Sequence, residues 1–579
     1  MLQMIEAPSA KAQSASSTPR AALDRAIAEL SDQRRAFARM PPAEKAALLR
    51  STLPLLMRVS RGWVEAGCKA KGLAFDRPVA GEEWLGGPMV TARNIRLLAQ
   101  SLEQIAAKGR PTLGRGARMR ADGRLEVDVL PAGGFDGTLY RGFSCVTWLE
   151  RGLDESAARD RQAPFYQQRD PNGKLSLVLG AGNVSNIPAT DALHKMFVDG
   201  HVCLLKMNPV NEWVGPFLEQ AFLPFISRGF LRVVYGGGDV GEYLCQHPGI
   251  EDIHITGSDK THDRIVWGAP GAEQERRRSA NDPLYKKTIT SELGNVSPVM
   301  IVPGNYTDQE LDFQARNVVT MVINNGSFNC NAAKILITAR QWPQRGRFLD
   351  RIAKGLAEVP PRKAYYPGAR SRYADLLGSR DNVKRFGKEE PDTLAWALVT
   401  DVDSSNEKES LFQVEPFCGI LTQTDLDGSD PASFLASATH FCNERLWGTL
   451  NAAIVIDPRT EADPAMAAPL DDALVKLRYG SVAINHWPAL VFGAMSAPWG
   501  GHPSATLTNV QSGIGFVHNT FMLEGIEKSV FRGGIVMSPK PPLFYDHQTT
   551  HILGAKLCDF EAAPSALKLP GIALAAFRG

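Results

Sequence analysis

The sequence predicts an α/β protein built on a doubly wound parallel sheet, and three observations carry that reading. Between 174 and 257 the chain alternates strand-like and helix-like segments in the order β-α-β-α-β-α-β with short connections, which calls for right-handed crossovers and a parallel sheet. A second α/β pattern starts at Lys287. At 579 residues and 44% hydrophobic composition, the chain can bury more than one core.

Taken in order, MLQMIEAPSAKAQSASSTPR (1–20) lacks the continuous apolar run of a secretory signal and reads as a disordered leader. From Ala21 to about Gly72, apolar residues recur at helical spacing and Pro41-Pro42 interrupt them, predicting two or three helices. The 110–170 region is rich in Gly, Arg and turn formers, with RLEVDVL reading as an exposed β-element. KLSLVLG, HVCLLKM, FLRVVYG and GIEDIHITG then read as strands, separated by the helices IPATDALHKMFVDG, NEWVGPFLEQAFLPFI and GDVGEYLCQH. The polar stretch GAPGAEQERRRSANDPLYKK fits a solvated loop better than a phosphate clamp. DQELDFQARNVVTMVIN is helical, KILIT returns to strand, and the last forty or so residues look irregular and Pro-rich. The resulting domains are a nucleotide-binding domain over 21–290 with a β-arm inside 110–170, a catalytic domain over 291–510, and a segment over 511–579 that returns to the cofactor domain or forms an oligomer interface.

Composition narrows the function. Lys+Arg 64 against Asp+Glu 62 leaves a net charge of +2, so no field points to nucleic acid or an anionic membrane. No apolar run reaches the ~20 residues needed to span a bilayer. The eight cysteines are scattered singly, without CxxC pairs, which fits a reducing cytoplasmic compartment. Cys245, His247, His254 and His262 with Asp263 match no zinc spacing, so no metal is expected. Small molecules remain as partners.

Three short motifs carry candidate chemistry. NNGSFNC (324–330) sets Cys330 after a Gly-containing turn and before an expected helix. A free thiol of pKa ~8.5 needs a base or backbone dipoles to become a nucleophile, and a lone cysteine is more often a small buried hydrophobe. SELGNVSP (291–298) offers Glu292 as a general base on water, or as a solvated or capping residue. GAGNVSNIP (180–188) offers Asn183 or Asn186 as an oxyanion donor, or as plain turn formers. Trp487, Phe492 and Trp499 suit an apolar substrate funnel or ordinary core packing equally.

Read together, GAGNVSNIP, LLKMNP, YGGGDVG, HITGS, SELGNVSP, NNGSFNC, VEPF and YGSVAIN followed by PWGG occur in the order found in the aldehyde dehydrogenase superfamily. The chain resembles that superfamily over roughly residues 22–515. The resemblance implies two Rossmann-like three-layer α/β domains plus a small oligomerisation or β-arm element, and NAD or NADP as cofactor. It implies Cys330 as the nucleophile toward an aldehyde, Glu292 as the base and Asn183, by its spacing to Lys206, as the oxyanion donor, with Asn186 the rival placement. It further implies Lys206 at the adenosine ribose, Gly236 to Gly241, Gly257 and Ser258 around the pyrophosphate and adenosine, and Glu415 and Phe417 against the nicotinamide ribose and ring. A homodimer or homotetramer is implied as well.

Departures from the family pattern matter too. Asn295 and Val296 follow Gly294 where the family has Gly-Lys, and the turn into Cys330 is one residue longer than usual. That extra residue displaces the thiol by several ångströms unless it is compensated. Pro209 stands where NAD-preferring members carry an acidic residue, so the expectation is dual cofactor use or a lean toward NADP. GAGNVSNIPATDAL and LLKMNP also resemble CoA-dependent acyl reductases, in which the water-activating glutamate is commonly missing; the presence of Glu292 favours hydrolysis. A non-catalytic nucleotide-binding protein of the same fold is the third reading.

Overall fold

The computed structural model describes residues 17–378, 380–428 and 430–579. Most of the expected leader lies outside them. Its last residues are ordered: the Thr18 N–H donates to the Tyr235 carbonyl at 3.1 Å, and the Tyr235 N–H donates to Thr18 Oγ1 at 3.0 Å. The two expected N-terminal helices follow as Arg20–Arg39 and Pro42–Lys71, the break falling at Pro41 and the stop at left-handed Gly72.

Three antiparallel strands come next, β1 (Ala117–Met119), β2 (Leu125–Leu130) and β3 (Ser144–Leu149). The first parallel sheet consists of β4 (Leu175–Leu179), β5 (Val202–Lys206), β6 (Leu231–Val234), β7 (Asp252–Gly257) and β8 (Thr288–Leu293), in the spatial order β6-β5-β4-β7-β8. The chain runs outward from β4 to β6 and then returns to the other side of β4 for β7 and β8. That reversal opens a crevice at the carboxyl ends of β4 and β7. The centres of β4 to β7 are mainly apolar because helices cover the sheet, whereas β8 carries Thr288, Thr290, Ser291 and Glu292.

The second sheet takes β9 (Pro298–Ile301), β10 (Ile335–Ala339), β11 (Val383–Phe386), β12 (Trp396–Val402), β13 (Ile420–Leu426), β14 (Asn451–Val455), β15 (Ser481–Ile484) and β16 (Ile526–Arg532). With the arm it forms an 11-stranded sheet, β1-β2-β3-β16-β15-β14-β9-β10-β13-β12-β11. Residues 294–297 join β8 directly to β9, so the carboxyl edge of the first sheet meets the amino edge of the second.

Several expectations are corrected. RLEVDVL is not exposed: β2 is buried at five of its six positions, because Leu125, Val127 and Val129 pack with Trp499 and Phe531 in a core of their own. Residues 291–293 belong to the first sheet, so the change of sheet falls after Leu293 and not at 290. The polar insertion contains the solvent-exposed helix Ala272–Ser279, whose Arg276 pairs with Glu273, Arg277 with Asp282 and Arg278 with Asp263. The three arginines close on local carboxylates.

The C-terminal residues are helical, over Thr550–Ala562 and Leu569–Phe577. The first of these helices packs so close to Gly81–Trp84 that a Cβ on Gly554 would come within 2.6 Å of Trp84 Cβ. No helix of the described residues is long and apolar enough to cross a membrane.

Candidate active site

Three loops at the junction of the sheets bring the predicted catalytic residues together. Asn183 follows β4, Glu292 lies on β8, and Cys330 sits in the turn between the helix Asp308–Ile323 and β10, with no helix after it. They line one cleft of about 1100 Å³ together with Gly257, Ser258, Glu415 and Phe417. Lys206, Pro209, Gly236 and Gly241 do not line this cleft. They cluster at the carboxyl ends of the neighbouring strands β5 and β6.

The lengthened cysteine turn is absorbed by three consecutive left-handed residues, Asn325, Gly326 and Ser327, at φ 54°, 66° and 70°. Such a run is costly for the two non-glycine residues and persists only when the surroundings hold it. Here the Asn325 side-chain amide donates to the Phe328 carbonyl at 3.2 Å, to Asn329 Oδ1 at 3.0 Å and to the Asn183 carbonyl at 3.1 Å. From inside, Lys334 Nζ donates to the carbonyls of Asn329 at 2.7 Å and Ala332 at 3.1 Å. The loop is thus clamped on both sides of Cys330.

Asn183 is fixed equally firmly. Its carbonyl accepts from Lys71 Nζ at 3.2 Å and Tyr365 Oη at 3.1 Å, and its side-chain amide donates to the Phe328 carbonyl at 3.0 Å. Asn186, the rival, is fully buried at the start of the helix Ile187–Phe197, where its amide approaches Thr190 Oγ1 at 3.5 Å. It faces neither of the cavities that meet at Cys330.

Glu292 is the most unusual group in the cleft. It is 2% exposed, and neither carboxylate oxygen completes a hydrogen bond of full geometry, although the Cys330 thiol and the Trp499 indole N–H both face it. Burial raises its pKa to about 7, and the nearby Asp191 charge adds to the rise. The thiol is pushed well above its ordinary value by burial first and the Glu292 charge second, with Lys334 pulling the other way. Thiol and carboxyl form a pair in which ionising one opposes ionising the other.

Glu415 belongs to the same network. It pairs with buried Lys334 at 3.5 Å and lies flush on Gly294, where a Cβ would meet its carboxylate oxygen at 1.9 Å. Burial lifts its pKa to about 7 despite the lysine. Ser258 caps the helix Asp259–Trp267 by accepting from the Thr261 N–H at 3.2 Å. Lys206 ends β5 with Asp239 and Glu212 in its field, and burial lowers its pKa.

Sequence reasoning missed Lys334, although a lysine interrupting the apolar AAKILIT was a visible signal. It also missed a second cavity. Besides the cleft, Cys330 lines a largely apolar channel of about 1180 Å³, and Trp487 and Phe492 form part of its wall. Trp499 does not line it. That residue is fully buried behind Phe492, with ring centroids 5.6 Å apart.

Comparisons with known proteins point to one family. A model of the aldehyde dehydrogenase family matches residues 145–365, a span that holds Asn183, Lys206, Ser258, Glu292 and Cys330 but stops short of Glu415. The chain is 24% identical over 191 residues to 4-trimethylaminobutyraldehyde dehydrogenase A of Danio rerio, covering 33% of this chain and 34% of that protein. To 4-trimethylaminobutyraldehyde dehydrogenase of Oryzias latipes it is 24% identical over 219 residues, 37% of this chain and 39% of that one. The matched part thus spans a little over a third of these relatives.

The fold is similar over a longer stretch. An NADP-dependent glyceraldehyde-3-phosphate dehydrogenase from Bacillus halodurans, solved with NADP, superposes with a TM-score of 0.59 at 16% identity over 89% of this chain and 92% of that one. An indole-3-acetaldehyde dehydrogenase solved with NAD+ gives 0.59 at 18% identity over 89% and 90%. The fold is thus that of the aldehyde dehydrogenases solved so far, and residues 145–365 match the aldehyde dehydrogenase family, to which the chain is distantly similar.

Proposed function

We propose that the protein oxidises an aldehyde to a carboxylic acid with NAD or NADP, through a covalent thioester on Cys330. The observation that carries this is the position of one sulfur, which lines the nucleotide crevice and the apolar channel at once and faces a buried carboxyl.

The residues present suit a dinucleotide. The crevice sits at a topological switch point, Gly257 and Ser258 bring backbone and a helix N-terminus to its floor, and Glu415 and Phe417 stand on the opposite wall. A nicotinamide bound there supplies a two-electron hydride acceptor.

This chain's own residues supply the rest. As the aldehyde carbon enters from the channel, Glu292 accepts the thiol proton and the sulfur adds to the carbonyl, forming a C–S bond and an oxyanion. Asn183, held rigidly 3.0 Å from the Phe328 carbonyl through one amide N–H, has a second N–H to offer that oxygen. Loss of hydride from the carbon leaves a thioester. Glu292 then releases that proton to solvent and takes another from water; the hydroxide displaces the sulfur and the proton on Glu292 returns to the thiolate, giving the acid, the free thiol and one reduced nicotinamide. A pKa of about 7 suits a group that must take up and release protons near neutrality.

The test is an aldehyde panel followed by NADH or NADPH absorbance, with and without CoA. Equimolar acid and reduced cofactor without CoA are expected. Strict dependence on CoA would replace hydrolysis with acyl transfer, and no turnover under either condition would favour a non-catalytic role.

A further inference from the structure

We infer that the substrate is an aldehyde with a long unbranched apolar chain, and that the C-terminal segment 541–557 forms the outer wall that selects it. The inference rests on the proposed oxidation at Cys330 and adds the substrate class.

The channel that ends at Cys330 has polar lining concentrated on the cysteine loop: Asn324, Asn329 and Asn331, with Glu82 beside them. Two of these side chains, Asn329 and Glu82, are held by neighbours in the wall. The Asn329 amide donates to Asn324 Oδ1 at 3.0 Å, and Glu82 accepts from the Asn325 N–H at 3.0 Å and from Arg362 at 3.2 Å. The Asn331 carbonyl accepts from Trp487 Nε1 at 2.6 Å, which pins the aromatic wall to the loop. Beyond the loop the lining is aliphatic or aromatic, including Leu85, Met89, Ile187, Leu490, Phe492 and Leu543. Nothing along that stretch balances a charge or a row of hydroxyls, so a charged or sugar-like tail would lose its water without compensation. An alkyl chain would gain from each methylene it buries.

The far wall comes from outside both sheets. Pro541, Pro542 and Leu543 precede the helix Thr550–Ala562, which contributes Leu557. A fully buried ion network fastens that helix. Arg93 donates to Asp136 at 3.0 Å and to Glu561 at 2.9 Å, and Arg96 Nε donates to Glu561 at 2.8 Å. The Arg93 guanidinium also lies 4.8 Å from the ring centre of Tyr140, itself a channel residue. The wall is therefore a fixed part of the binding site.

Gly493 offers a clean way to plug the channel. It lines the cavity, and a Cβ built on it meets nothing within 4 Å, so a larger side chain there enters open space.

The experiment uses the full chain and a straight series from acetaldehyde to dodecanal, with a cationic aldehyde of intermediate length as comparison. The expected result is a kcat/KM that rises about threefold per added methylene until the chain fills the channel, poor use of the cationic aldehyde, and a flattened series in Gly493→Phe. A flat or falling series in the wild type would overturn the inference while leaving aldehyde oxidation intact. A second readout needs no turnover: dodecanoate should displace 8-anilinonaphthalene-1-sulfonate fluorescence from the wild type at far lower concentration than butyrate, and less well from Gly493→Phe. Displacement by dodecanoate without any aldehyde turnover would sustain the apolar-chain site and overturn the oxidation. Equal displacement by both acids would overturn the site.

Discussion

The two cavities that share Cys330 are built in opposite ways. The nucleotide crevice has one face made at the carboxyl ends of adjacent strands of one parallel sheet, with Asn183 after β4, Ser258 after β7 and Glu292 near the end of β8, and the other face made by Cys330, Glu415 and Phe417 of the second domain. Its polar groups lie close to one another and perturb one another's titration. The channel is assembled from stretches hundreds of residues apart, from Glu82 to Leu557, and its few polar side chains, Asn329 and Glu82 among them, bond to neighbours in the wall. The difference separates two tasks. Chemistry common to a family can be carried on loops fixed by strand order, whereas the choice of substrate lies with peripheral helices that can vary without disturbing the sheet.

If the crevice holds the chemistry, its variants should lose rate and keep the fold. Glu292→Gln should lower steady-state turnover by about 10²–10⁴. Glu292 serves both steps in the proposed cycle, so the burst of one equivalent of reduced cofactor should be slowed, and the acyl form should accumulate as turnover stalls because the hydrolysis that follows is slowed further. The wild-type rate of that step should rise with pH about a midpoint near 7, the value burial gives Glu292. Loss of the burst together with the steady state would move Glu292 from water activation to thiol deprotonation alone.

If the channel wall is structural, its variants should do the reverse. Glu561→Ala leaves Arg93 and Arg96 short of a buried partner and should cost about 3–5 kcal/mol, read as a lower denaturation midpoint, with cofactor affinity little changed. An unchanged midpoint would mean that the C-terminal helix is not fastened as described.

Asn183→Ala should reduce kcat by about 10²–10³ with little effect on KM for cofactor, the size expected for one oxyanion donor. Asn186→Ala, whose side chain faces neither cavity, should cost less in rate. The reverse ranking would restore the rival placement.

The smallest effect concerns stability and pH. The Glu292 carboxyl titrates at about 7 in the fold against 4.5 for a free group. Between those values the folded chain holds a proton that the unfolded chain has released, so stability falls as pH rises through that window and stays lower above it. Glu292→Gln removes that cost and should be more stable than wild type by about 3 kcal/mol at pH 8, with no difference at pH 4. Equal stability at both pH values would mean that the carboxyl is not strained by burial.

This contrast also explains what was legible in the sequence. β4 to β7 could be read in turn because βα alternation is local and each strand centres on Ile, Leu or Val and ends in Gly or a polar loop, whereas β8, half polar, joins the first sheet only in the fold. The motif residues of the crevice followed from the same punctuation. The channel could not be read that way, since no local pattern links Leu85 to Leu490 to Leu543. The C-terminal helices were hidden by Pro541, Pro542, Pro564 and Pro570, which flank Thr550–Ala562 or open Leu569–Phe577 without interrupting either interior. RLEVDVL alternates as a one-sided strand would, but a separate apolar core buries it further. The Cys330 loop lay in between: its residue types were readable, whereas its left-handed run and the clamp from Lys334 depend on contacts that only the fold supplies.

The most direct measurement is intact-protein and peptide mass analysis of Glu292→Gln after incubation with an aldehyde and oxidised cofactor. An added acyl mass on the peptide carrying Cys330, absent when Cys330→Ser is combined with Glu292→Gln, is the expected result. Undiminished aldehyde oxidation by Cys330→Ser alone, with no acyl adduct on any residue, would contradict it.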